Sequence, residues 1–579
     1  MWKYVKRYVL FMVLAAAFMV LEVLMDLVQP TFLSRIVDDG VLGVNTGGVG
    51  DMRLIWTMGL AMVGLVILGG FGGAMSAVCT HIGCQNIGNE IRKDMFKNIM
   101  TLSFPQVEEF GTGSLVTRVT NDITQVQNLL SSFCRGLIRT ICLTFGSIYF
   151  LFRLNTRFGL IILCAFPFMV GAMALCLWKA APLFPRLQAE LDRVNAILQE
   201  DVSGIRIIKA CVREIGEKVR FGKANDVQIK TQLRTLILFA FMNPTTNAIM
   251  YLALVLMMWS GAGQVADGLS TPGAIMAAIT YSSTLLNGIN MMMNMFQNIT
   301  KGLASWKRIR EILDSEAVIR DGSFDGDTSV SGKIEFRDVS FAFPGARQKV
   351  LEHINLTIEP GETVAVMGAT GAGKTALISL IPRFYDVTEG AVLVDDVDVR
   401  DYRLHDLRSR ISMALQKAEL FSVSIGENIR WGRMDATRED IETAAQIAQA
   451  ADFIGDTEKG LDTAVAQRGM SLSGGQKQRV SVARAVLRNA ELLVFDDSTS
   501  ALDLKTEARL NAALKEARPG CTKLIIAQRV ASVLQADRIV ILDHGRMIDS
   551  GTHEELLQSC PTYQDIYYSQ MGSEVAEVG

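Results

Sequence analysis

The chain of 579 residues has no CxxC pair among its nine cysteines and no metal-ligand spacing, which leaves no zinc or thiol-redox motif. Most of those cysteines lie in apolar stretches and read as small buried hydrophobes. An excess of one charge is also missing. With 57 Lys and Arg against 60 Asp and Glu, the net charge is −3, so nothing global directs the chain to nucleic acid, and no such partner is expected. The basic start, Met1 to Arg7, has no clear small-residue cleavage site after it. The apolar run that follows is too long for a signal segment, so it is expected to stay as a first membrane helix.

What is abundant is apolar sequence, at 49% of residues, beside 20% charged residues. That mixture, in a chain too long for one core, predicts a membrane part joined to a soluble part. Six stretches are each long enough to cross a hydrocarbon layer of about 30 Å. They run approximately over 9–30, 54–80, 137–153, 158–178, 235–264 and 272–296. Two long links rich in Lys and Arg separate the second from the third and the fourth from the fifth. The positive-inside tendency puts these links and the N-terminus in the cytoplasm. Their tips, near 104–111 and 203–213, are expected to dock on a nucleotide domain. Within the membrane, Glu22 and Asp26 share a helix face one turn apart, and carboxylates there are costly. They read either as a cavity-facing acidic site that favours amphiphilic cations or as a pair satisfied by a neighbouring helix. In the sixth stretch, Met291, Met292, Met293 and Met295 alternate with Asn287, Asn290, Asn294 and Asn298. That pattern suits an adaptable pocket, and plain helix packing equally. Candidate substrate contacts are therefore Glu22, Asp26, Asn287, Asn290, Met291 and Asn294. Pro244 is expected to kink the fifth stretch.

Past Leu313 the composition changes. A polar stretch containing Asp321, Gly322, Asp325, Gly326 and Asp327 reads as a linker, and from Ile334 strands alternate with helices in an α/β pattern. The expected division is 1–312 for the membrane domain, 313–332 for the linker, 333–570 for the α/β domain and 571–579 for a tail. Gly368-Ala369-Thr370-Gly371-Ala372-Gly373-Lys374-Thr375 is a complete P-loop between an apolar strand and a helical run. Its backbone N–H groups would cradle phosphates, Lys374 would neutralise β/γ charge, and the Thr375 hydroxyl would bind Mg²⁺. Leu492 to Asp496 has the form of a Walker B strand, with Asp496 as the second anchor of the Mg²⁺ that accompanies ATP. The next residue, where water activation needs a long carboxylate, is Asp497.

Leu472-Ser473-Gly474-Gly475-Gln476 lies between those two motifs. LSGGQ there resembles the nucleotide-binding domain of ABC transporters, and six preceding membrane stretches resemble a multidrug-type ABC exporter half, across essentially the whole chain. The resemblance implies an all-α membrane domain of six long helices followed by an α/β P-loop ATPase domain, in a bacterial plasma membrane with the ATPase domain in the cytoplasm. It also implies that Phe343 stacks on adenine, that Gln416 senses Mg²⁺ and the γ-phosphate, and that Gln467-Arg468-Gly469 touches coupling helices. Ser500 to Asp503 forms the D-loop on this pattern. Gln528 stands where the family has the switch histidine, and Asp497 stands where it has glutamate. Because two such domains meet head to tail, Ser473, Gly475 and Gln476 would act on a partner's ATP. Two altered hydrolytic positions with an intact signature favour a heterodimer with a second half-transporter bearing the consensus Glu and His. The expected activity is ATP-driven export of amphiphilic small molecules. Lipid or peptide export, or an ATP-gated channel or regulator, are the alternatives, although no regulatory insertion separates the two halves.

Overall fold

The computed structural model describes residues 1–44, 48–326 and 331–571, apart from the side chains at 177, 184, 293, 294, 296, 297 and 468. Asp327 of the expected linker, the side chains of Met293, Asn294 and Arg468, and the tail beyond Met571 lie outside the described residues. Two compact units result. One comprises Met1–Met100 with Gly113–Ser315, the other Thr101–Thr112 with Glu316–Gly579.

The first unit is helical throughout. Five helices among the described residues are long and apolar enough to span a bilayer: Val9–Val41, Met52–Thr101, Thr112–Leu154, Thr156–Ala180 and Glu214–Ala266. The sixth, Pro272–Leu313, is started by Thr271 as N-cap and Pro272 at its first turn. Its apolar character is diluted by Ser282, Ser283, Thr284, Asn287 and Asn290. Bulky residues such as Trp56, Leu60, Phe71 and Trp259 are exposed on the helix surfaces, as lipid contact requires. Met19, Val23, Leu27, Leu143, Tyr281 and Leu285 form an interior, where the Tyr281 hydroxyl donates to the Leu27 carbonyl at 2.7 Å. The fifth helix runs through Pro244 from Glu214 to Ala266. The Thr245 and Thr246 hydroxyls donate to the Phe241 and Met242 carbonyls in the turn that proline loosens.

The second unit contains two sheets. A four-stranded antiparallel sheet has the order β2-β1-β4-β5, from Leu351–Ile358, Ile334–Phe341, Glu389–Val394 and Val397–Asp398. A six-stranded sheet has the order β10-β9-β3-β8-β7-β6. Its strands β3 (Thr363–Met367), β6 (Ile411–Ala414), β7 (Leu492–Asp496), β8 (Thr522–Ile526) and β9 (Arg538–Asp543) run parallel, and β10 (Arg546–Gly551) pairs antiparallel at the edge. The parallel strands are near-continuous apolar runs because helices cover both faces. Parallel register brings the C-terminal ends of β3 and β7 to the same edge, where ligands of open α/β sheets bind. The polar stretch before β1 is not a free linker, since Gly322 and Phe324 donate backbone N–H groups to Tyr402 and Asp401.

The segment Thr101–Thr112 packs with this second unit although its sequence lies among the membrane helices. Its helix Phe104–Phe110 has a capping box between Ser103 and Gln106. Phe104 stacks on Phe384 with centroids 5.7 Å apart, and the Tyr385 hydroxyl donates to Glu108 at 2.8 Å. The other tip, with the helix Ile205–Ala210, belongs to the first unit and presents Ile205, Ile207, Val212 and Ile215 as exposed apolar side chains.

Candidate nucleotide site and membrane cavity

β3 ends in the P-loop, whose backbone only glycine can follow at its first turn. Gly368 has φ +151°, and a Cβ there would come 2.0 Å from the Leu542 carbonyl oxygen. The loop opens the helix Lys374–Leu380, which directs N–H groups at the space before it. A cavity of about 250 Å³ occupies that space, lined by Thr370, Gly371, Gly373, Lys374, Thr375, Gln416, Asp496, Asp497, Gln528 and Phe343. Gly368 and Ala369 complete the loop through their carbonyls, which accept from the Lys374 ammonium at 2.7 and 2.8 Å. Ala372 is buried behind them. Burial holds the Lys374 pKa below its ordinary range, with Asp497 and Asp496 opposing that shift. Phe343 is 38% exposed and meets Phe341 and Tyr385 edge-on at 5.0 and 5.3 Å, an arrangement that braces the ring and leaves surface toward the cavity.

The donors around Thr375 suit a hard divalent cation. The Thr375 hydroxyl lies 3.3 Å from Asp496 Oδ1, and Gln416 lines the same cavity as Asp496 and Asp497. Burial pushes Asp496 above the usual carboxylate range, and the charge of Asp497 adds to it. Hydroxyl, amide and carboxylate oxygens gathered beside a strained pair of carboxylates fit Mg²⁺.

Asp497 and Gln528 touch. Gln528 Nε2 donates to Asp497 Oδ2 at 2.9 Å. Asp497 has φ +47°, a left-handed conformation that aspartate tolerates better than most side chains, and burial raises its pKa. The C-terminal helix Pro561–Met571 grips the switch from behind. The Gln570 amide donates to the Gln528 carbonyl at 2.7 Å and accepts from the Val530 N–H at 2.8 Å.

The signature residues lie outside this cavity. Ser473 caps the helix Gly474–Leu487, accepting from the Gln476 N–H at 3.4 Å while Gln476 accepts from the Ser473 N–H at 2.9 Å. A Cβ on Gly475 would lie 3.0 Å from the Ala501 carbonyl, so the signature helix abuts the segment after Walker B. Gln478 ties the two together through Ser500 and the Ala501 N–H. Sequence reasoning missed Gln478 and Gln570, and neither has a local signal.

In the first unit a cavity of about 660 Å³ is lined by Asp26, Asn287, Asn290 and Met291 with Gln29, Thr280, Thr284 and Arg139. Glu22 and Asp26 are not an unopposed acidic patch. Arg139 pairs with Glu22 and lies 3.4 Å from Asp26, so the neighbouring helix satisfies much of the carboxylate charge. An arginine inside the third apolar stretch was the available signal for this partner. Among the described residues, Asn290 Oδ1 is buried without a hydrogen-bond partner, and so is Glu22 Oε2.

Comparison with known proteins agrees with this architecture. The profile of the ABC transporter transmembrane region matches residues 12–289, and that of the ABC transporter matches 351–500. The chain is 36% identical to YfiB of Bacillus subtilis, an uncharacterised ABC transporter ATP-binding protein, over 99% of both chains. It is 32% identical to an ATP-dependent lipid A-core flippase of Pseudomonas fluorescens, over 90% of this chain and 86% of that one. Among solved structures, a bacterial Atm1-family ABC exporter with ATP bound superposes with TM-score 0.78 at 25% identity, covering 98% of each chain.

Proposed function

The chain belongs to the ABC transporters as a half-size, ATP-driven exporter of the membrane, and from that premise we propose that it is the subunit of a heterodimer that holds ATP without hydrolysing it efficiently. The observation that carries this reading is the contact between Gln528 and Asp497. A carboxylate with a raised pKa would suit a general base, so acidity is not the deficit. Reach is. Aspartate is one methylene shorter than glutamate, its backbone is turned into the left-handed region, and one of its oxygens is engaged by Gln528. Loss of a positioned base costs about 10²–10⁴ in rate, or about 3–5 kcal/mol of barrier.

Nucleotide binding is supported independently of hydrolysis. Lys374 and the P-loop N–H groups would hold the phosphates, Phe343 the adenine, and Thr375, Gln416 and Asp496 the Mg²⁺, whose charge would offset that of the phosphates. Ser473, Gly475 and Gln476 would complete the site built on the partner's P-loop. The exposed Ile205, Ile207, Val212 and Ile215 give the second tip an apolar surface suited to the partner's nucleotide domain. In the assembled pair, changing the partner's catalytic glutamate to glutamine should remove nearly all ATP turnover. Undiminished hydrolysis would overturn the assignment.

For cargo, the 660 Å³ cavity offers carboxylate, carboxamide, guanidinium and thioether groups together. That mixture supports an amphiphile with a cationic or zwitterionic head, in drug-like molecules first. A lipid is the second reading, favoured by Arg139 and by the relatives named as lipid A-core flippases. Asp26→Asn should selectively lower efflux of cationic dyes, and unchanged efflux removes the cationic reading.

A further inference from the structure

A second cavity in the ATPase unit, about 390 Å³, shares no lining residue with the nucleotide cavity. It lies between the end of the helix Leu504–Ala517, the turn Arg518–Cys521 and the turn Val530–Ser532. Lys523, on the parallel strand β8 between β3 and β7, lines it and is only 9% exposed. A position covered on both sides of a parallel sheet ordinarily takes an apolar residue. Among the described residues the Lys523 ammonium has no ion pair and no hydrogen bond, while its backbone N–H donates to the Glu362 carbonyl where β8 pairs with β3. Two more cations line the same space. Lys515 is exposed and has no ion pair among the described residues. Among the described residues Arg518 donates to neutral acceptors, the Asn489 amide oxygen and the Ala490 carbonyl. The one carboxylate in the lining, Asp537, is exposed and gives Oδ2 to the Thr363 N–H at 2.8 Å. Burial holds the Lys523 pKa below the ordinary lysine range, and although Cys521 and Asp537 act against this, Lys515 and Arg518 reinforce it.

A lysine held at 9% exposure beside two further cations is unfavourable unless an anion joins it. We propose that this cavity is a binding site for a small phosphate-bearing anion, held by Lys523, Arg518 and Lys515. Arg518 supplies planar fork geometry and Lys523 a point charge, the pair of donors phosphate recognition uses. The ligand would rest against Phe495, the residue before Asp496, and against Ser532, four residues past Gln528. Its occupancy would therefore be communicated to both altered positions of the nucleotide site.

Equilibrium dialysis of radiolabelled inorganic pyrophosphate against the full-length chain in detergent tests this. The Lys374→Ala background removes the P-loop contribution, and chloride at matched ionic strength controls for screening. One saturable site should persist in that background, weaken about tenfold or more with Lys523→Met, and protect Cys521 from alkylation when filled. No saturable binding beyond the P-loop, or binding indifferent to Lys523→Met, overturns the proposal. If Lys523→Met does not fold, Lys515→Gln with Arg518→Gln must weaken binding in the same direction, and unchanged affinity there overturns it equally.

Discussion

On the proposed reading Asp497 is short by one methylene and Gln528 stands in for an imidazole, and the 2.9 Å contact makes them a single unit. Restoring one alone would therefore leave the other misplaced. Asp497→Glu with Gln528→His should raise turnover at this site about tenfold or more when the partner's site is disabled, measured as phosphate release. Each single change should recover much less, because coupled residues do not add. Gly368 makes the opposite kind of prediction. Gly368→Ala would drive a Cβ into the Leu542 carbonyl at 2.0 Å, so ATP binding should be lost and the ATPase unit destabilised in thermal melts. The P-loop, the Walker strand and the signature were legible as residues because each is a local run whose chemistry needs adjacent groups. Arg139, Gln478 and Gln570 were not read, since each acts on a segment far away in sequence.

Among the elements, the helix Phe104–Phe110 shows how a short segment can belong to a unit remote from its sequence neighbours. Its capping box and apolar tip mark it as a docking piece, while the identity of its seat, Phe384 and Tyr385, needed the fold. Phe104→Ala should weaken coupling between substrate and ATP turnover with at most about 1–1.5 kcal/mol lost from aromatic pairing, visible as reduced substrate-stimulated ATPase at near-normal basal rate. In the membrane unit the helix pairing through Arg139 is less forgiving. Arg139→Met leaves Glu22 and Asp26 with no cation, and should cost about 3 kcal/mol, seen as a lowered melting temperature in detergent. Helix existence was legible from apolar length. The fifth stretch was likewise legible as one helix through Pro244, whereas the back-bonding hydroxyls of Thr245 and Thr246 in that turn leave no periodic signal.

For the whole molecule, the two compact units and the family membership describe one half of an exporter, and the proposed weakness of its nucleotide site would place hydrolysis on a partner half. Expressed alone, the chain should bind ATP yet hydrolyse it about 10²-fold or more below the assembled pair, measured on purified protein at saturating ATP. The clamp by Gln570 has a practical side. It lies two residues beyond Tyr568, near the end of the described chain, yet its amide brackets the switch loop through Gln528 and Val530. The helix Pro561–Met571 is thus a handle on the ATP site: a truncation that removes Gln570 would report the kinetics of an altered switch rather than those of the native subunit.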